Sequence, residues 1–170
     1  MVVATRGPEI RTLVSSRIAY KLRVGNGGAV DFLSIQAAIN YAIAQTPTAA
    51  NPWTIDIYPG TYDEALTMGD YVNLVGLGDR SVLLIQTGAA DIITVGNVTC
   101  QLINLALDHS GGGAGACIAT TNAGADICLS DCQITGMPAA VHVIEMIAGF
   151  VTMHDCDVMA GDIDLSSAAC

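Results

Sequence analysis

The sequence predicts an all-β protein: a single-stranded parallel β-helix closed near its N-terminus by a capping α-helix. Three observations carry that prediction. A short helical pattern comes first and gives way to strand-sized apolar pieces divided by tight turns. Two separate sequence registers then recur at nearly the same spacing. The composition fits an ordered, sheet-rich chain: 170 residues, 52% hydrophobic, 13% charged, with 18 glycines.

The elements follow in order. Residues 1–23 carry Arg6, Arg11, Arg17, Lys21 and Arg23 against Glu9, a net of +4, and read as a basic leader or assembly arm. Residues 24–170 carry fifteen acids and one base, Arg80, a net of −14, and form the β-helix domain, open at its C-terminal end. So acidic a body argues against broad nucleic-acid binding. No run of eighteen apolar residues exists to span a membrane. The N-terminus lacks the apolar core of a signal peptide.

SIQAAINYAIA, residues 34–44, places Ile35, Ala38, Ile39, Ala42 and Ile43 on one side at helical spacing. Ser34 can cap its start, and Thr46-Pro47 stops it. Trp53, Ile55 and Ile57 then alternate with Thr54 and Asp56 as a strand, and Pro59-Gly60 turns the chain. Residues 71–75 and 81–85 give two further short strands around Gly76-Leu77-Gly78-Asp79-Arg80.

The first register aligns INLALDHS (103–110), SDCQITGM (130–137) and HDCDVMAG (154–161), at offsets of 27 and 24 residues. It predicts two inward stacks: Leu105, Cys132 and Cys156, then Leu107, Ile134 and Val158. The second aligns DIITVGN (91–97), ACIATTN (116–122) and AVHVIEM (140–146), at offsets of 25 and 24. A period near 24 fits one coil of a β-helix, which cannot close its own core and gains one by stacking. At about 4.8 Å per step, roughly five coils give a stack on the order of 24 Å long.

At the front, DFLSIQAAINYAIA (31–44), TIDIYPGTYDEAL (54–66) and YVNLVGLGDRSVLL (71–84) resemble the pectin-lyase-like superfamily of right-handed parallel β-helices, over residues 24–165. The resemblance implies a capping helix, a first strand and the first coils. That superfamily includes pectin esterases, lyases, glycoside hydrolases, epimerases and noncatalytic phage or surface appendages. The front is most similar to pectin esterases, whose chemistry uses paired aspartates, an arginine and oxyanion-stabilising glutamines. This chain has no arginine after Arg80, and Gln101 and Gln133 lie outside the family's glutamine motifs, so the resemblance transfers no catalytic set. A lyase needs a basic residue, and the late coils have no lysine or arginine.

Asp155 and Asp157 are the weak catalytic candidates, because alternation along a regular strand sets them on one side. His142 with Glu145, and His154 with Asp155, lack any distinctive metal-ligand spacing, so no metal and no cofactor is assigned. Tyr58, Tyr62 and Tyr71 are candidate sugar-stacking residues, with packing of the first coils as the competing role. Six cysteines without paired CxxC spacing read as buried thiols.

The expected function is a noncatalytic structural β-helix module of a phage or surface assembly, located in a virion or on an extracellular surface. The alternatives are a polysaccharide-active enzyme (esterase, lyase or glycosidase), whole or as a fragment, and a carbohydrate-binding module. The expected partners are copies of itself, with a trimer as the analogy, or neighbouring assembly subunits, and a glycan.

Overall fold

A computed structural model describes residues 20–109, 115–136, 142–159 and 162–164. The order of elements is β1 (Tyr20–Val24), α1 (Ile35–Ala44), then five strand triplets. These are β2 (Trp53–Ile57), β3 (Gly60–Asp63) and β4 (Leu66–Thr67); β5 (Val72–Gly76), β6 (Val82–Ile85) and β7 (Ile93–Val95); and β8 (Thr99–Ile103), β9 (Ala106–His109) and β10 (Ile118–Thr120). The last two are β11 (Asp126–Ser130), β12 (Gln133–Gly136) and β13 (His142–Met146); and β14 (Phe150–His154), β15 (Asp157–Met159) and β16 (Asp162–Asp164). Each triplet is one coil. Its members join three parallel sheets, ordered β1-β2-β5-β8-β11-β14, β3-β6-β9-β12-β15 and β4-β7-β10-β13-β16. These are called the first, second and third sheets. The described residues thus form a parallel β-helix preceded by the short helix α1.

The interior is filled by the inward half of each strand. One column runs Leu22, Ile55, Leu74, Leu102, Leu129 and Met153; all but Met153 are buried. A second runs Tyr62, Leu84, Leu107, Ile134 and Val158, buried up to Val158, which is 37% exposed. Leu105 and Cys132 are fully buried, and Cys156 packs against the core half-buried. Ile147, Phe150, Met153, Val158 and Met159 remain exposed in the last two coils.

The first register pairs as aligned: Ile103, Ser130 and His154 are ladder neighbours, as are Leu107, Ile134 and Val158. The second pairs Ile93 with Ile118 as aligned, but Ile118 meets Ile144, 26 residues on instead of 24. A two-residue slip keeps every side chain on its own face, so the apolar pattern cannot see it. Placing Ile144 rather than His142 beside Ile118 extends the apolar stack.

Helix α1 closes the first coil. It buries Ile35, Ala38, Ile39 and Ala42. Ile43, expected inward, is 41% exposed and lies over Gly69, where a side chain would run into it. Ser34 caps the helix, accepting from Ala37 N at 3.2 Å. The first turn holds no acid of its own. Glu64, twenty-nine residues beyond Ile35, supplies one: its carboxylate accepts from Ser34 Oγ (2.7 Å), Ile35 N (3.0 Å) and Gln36 N (3.1 Å). An anion on these otherwise unpaired N–H groups stabilises the helix N-terminus. Gln36 in turn accepts from Thr67 N at 2.7 Å, tying the helix to β4.

Within residues 1–23, Tyr20 to Arg23 are part of β1, a full ladder partner of β2. Lys21 and Arg23 therefore belong to the first strand, and Lys21 bonds Asp56 at 3.0 Å. Arg6, Arg11, Arg17 and Cys170 lie outside the described residues. No described helix is long and apolar enough to cross a membrane.

Candidate functional site

The corner between the first and second sheets repeats one backbone feature. Arg80, Asn104, Asp131 and Asp155 take φ values of 49°, 57°, 54° and 51°. This left-handed conformation is unfavourable for most residues and tolerated by Asn and Asp, whose short polar side chains bond locally. Asn104 shows how: its Oδ1 accepts from Arg80 N at 2.9 Å, and its Nδ2 donates to Gly76 O at 2.9 Å.

Asp155 and Asp157 are consequently not two positions of one regular strand. Asp155 sits in the left-handed turn, and only Asp157 belongs to β15. The premise of an alternating carboxylate pair fails on that turn.

Arg80, the last cation in the sequence, runs down this corner across three coils. Its Nε donates to Asp131 O at 3.3 Å and its Nη2 to Asp155 O at 3.4 Å. Its Nη1 forms an ion pair with Asp157 Oδ2. The hydrogen bond to Asp157 holds the guanidinium above its ordinary value, so it stays a cation throughout the working range. Gln133 is the ladder neighbour of Asp157, which brings Arg80, Gln133 and Asp157 together on the outer face of the second sheet. The Asp157 side chain is 58% exposed there. Arg80→Ala is expected to speed amide exchange at 155–159 while β3 and β6 keep their protection. Equal exchange in variant and parent would show that the clamp holds nothing.

The three tyrosines do not form one site. Tyr62 is 4% exposed, lies in a core column and donates its hydroxyl to Tyr58 O at 2.8 Å. Burial raises its pKa. Tyr71 is a turn residue at φ 54°, with its backbone bonded to Trp53 and Thr99. Tyr58 is 38% exposed on the first coil. His154 ends β14 beside the Asp155 turn, and His142 and Glu145 lie on β13. Among the described residues no group of three or more His, Cys, Asp or Glu side chains converges as for a metal.

An aromatic cluster unforeseen in the sequence stands at the other end. Tyr20 and Trp53 stack with centroids 4.9 Å apart and planes 14° apart; Tyr41 meets Trp53 edge-on at 5.9 Å, and Phe32 meets Tyr41 at 5.5 Å. Such pairs add about 0.5–1.5 kcal/mol each beyond their buried area. Tyr20 and Trp53 form one wall of an open pocket of about 230 Å³ at the C-terminal end of α1, with Gln45, Thr46, Thr48 and Asn51 around it. Thr46 has φ 53°. A β-branched residue is strained there by about 1–3 kcal/mol, and its hydroxyl donates to Gln45 O at 2.8 Å. The only sequence signal was Trp53, the single tryptophan.

A solved structure similar to this chain is pectin methylesterase PemA from Erwinia chrysanthemi, with a TM-score of 0.62 over 82% of the chain. The fold shared with it is a parallel β-helix. Sequence identity is 15%, and the match takes in 49% of the enzyme, so this chain spans about half its length. No family model and no curated protein matches the sequence. The likeness to this enzyme is one of fold.

Proposed function

We propose that the protein is a noncatalytic structural β-helix module of a surface or virion assembly, a stiff coil stack that packs against copies of itself or against neighbouring subunits. The commitment of Arg80 carries this reading. Arg80, the last Lys or Arg in the sequence, is bonded to two turn carbonyls and to Asp157, holding coils together. The exposed Ile147, Phe150, Met153, Val158 and Met159 support association, because burying an apolar rim of this kind stabilises a complex. The basic residues 1–23 complement an acidic body in such contacts.

A second reading draws on the same corner. Arg80, Gln133 and Asp157 are the residue types an ester hydrolase uses around a nucleophilic carboxylate. The half-exposed Asp157 argues against it, because such chemistry needs donors preorganised in a water-excluded site.

The test combines two measurements on the full chain. Methyl-esterified pectin, polygalacturonate and neutral glycans should show no turnover, with or without calcium. Light scattering should show an assembly larger than a monomer at micromolar concentration. Turnover that Asp157→Asn abolishes in a folded protein would establish the esterase reading instead. A monomer at all concentrations would remove self-assembly from the proposal.

A further inference from the structure

The pocket at the end of α1 is lined by aromatic and neutral polar side chains. The chain carries a net −10, yet no Asp, Glu, Lys or Arg lines the pocket. Around the Tyr20–Trp53 stack, the side chains of Gln45, Thr48 and Asn51 make no hydrogen bond among the described residues. All three are exposed, and Tyr20 keeps 46% of its surface open. Asn51 is held in place by its backbone, which pairs both ways with Thr48 at 2.9 and 3.4 Å. Thr46 holds its strained left-handed turn in the same rim. That turn ends α1, with Thr46 N donating to Ile43 O at 3.0 Å.

We propose that this pocket binds one neutral pyranose ring of a saccharide. A pyranose has C–H bonds on its faces and hydroxyls around its edge. The C–H groups are electron-poor and are attracted to the negative face of an aromatic ring. The edge hydroxyls both donate and accept, as do the amides of Gln45 and Asn51 and the hydroxyl of Thr48. Aromatic wall and polar rim thus answer the two parts of the ligand. A volume of about 230 Å³ falls below the roughly 300–1,000 Å³ of sites for drug-sized ligands, which fits one ring better than an oligomer. A uronate carboxylate would find no cation here. The site is separate from the Arg80 corner, and the inference holds whether or not that corner is catalytic.

Trp53 is the single tryptophan, so its emission reads this pocket directly. The full chain is titrated with the methyl glycosides of glucose, galactose, mannose and xylose, and separately with digalacturonate. A saturable emission change in the millimolar range is expected with at least one neutral glycoside, and a response at least tenfold weaker with digalacturonate. Tyr20→Ala and Asn51→Ala should each weaken binding at least tenfold. Should Tyr20→Ala fail to fold, Asn51→Ala decides, because its side chain is exposed and makes no hydrogen bond among the described residues. No saturable response to any neutral glycoside, unchanged binding in Asn51→Ala, or preference for digalacturonate would each overturn the proposal.

Discussion

Cys132→Asp is expected to lose about 3–5 kcal/mol of stability at neutral pH, the scale for an unpaired charge enclosed in a core. Cys132 has no exposed surface and stacks between Leu105 and Cys156 in successive coils. Its thiol donates weakly to Leu102 O and Ser130 O, both at 3.4 Å. A carboxylate there would face the same two carbonyls, which can only accept, so it gains no donor from them. The loss is comparable with the whole stability of a small domain, about 5–15 kcal/mol. Urea denaturation of Cys132→Asp beside Cys132→Ala separates charge from volume. A difference under about 1 kcal/mol between the two variants would show that this column is not the dry interior described.

Alkaline pH is expected to destabilise the native protein through three thiols. Burial, the first cause in each case, pushes Cys100 and Cys117 up to about 12 and Cys132 up to about 11, from 9.0. All three are thus raised on folding. Folded, they keep protons that the unfolded chain releases above about pH 9, so the unfolded state binds fewer protons and stability falls as pH rises. The loss begins near pH 9 and continues to about 11 for Cys132 and about 12 for the others. At pH 10 each thiol contributes about 1.4 kcal/mol of loss, together about 4 kcal/mol. Denaturation under reducing conditions from pH 7 to 10.5 measures the slope. Replacing the three cysteines by alanine should flatten it, and identical slopes in the two proteins would assign alkaline unfolding to other groups.

Much of the coil stack was legible in the sequence because its corner residues are chemically marked. Asn104, Asp131 and Asp155 each precede an inward residue, and the left-handed turn explains why those types recur in that column. The end of the second register was not legible, since a two-residue slip leaves the apolar alternation intact. Glu64 could not be read as a helix cap, because capping patterns look three residues ahead and this acid comes from the first coil, beyond the end of the helix. The aromatic pocket joins residues 20, 45–48, 51 and 53, and its Tyr20 lay within the supposed leader. The Arg80 clamp was hidden for the same reason. Seventy-seven residues separate Arg80 from Asp157, and only the stacking of coils brings them together.

The three edges of the coil differ in how much chain they consume. From the first sheet to the second, the inward residues are always five apart in the last three coils: Leu102 to Leu107, Leu129 to Ile134, Met153 to Val158. From the second sheet to the third the spacing varies, from Leu84 to Ile93, Leu107 to Ile118 and Ile134 to Ile144. The edge leading to the next coil varies too, from Ile93 to Leu102 and from Ile118 to Leu129. In these three coils the left-handed residue, Asn104, Asp131 or Asp155, therefore works as a reset mark, restoring the phase whatever length the other two edges have taken up. A foreign peptide grafted on either variable edge would leave the following coil in phase, whereas one added residue at the marked edge would turn the next strand inside out.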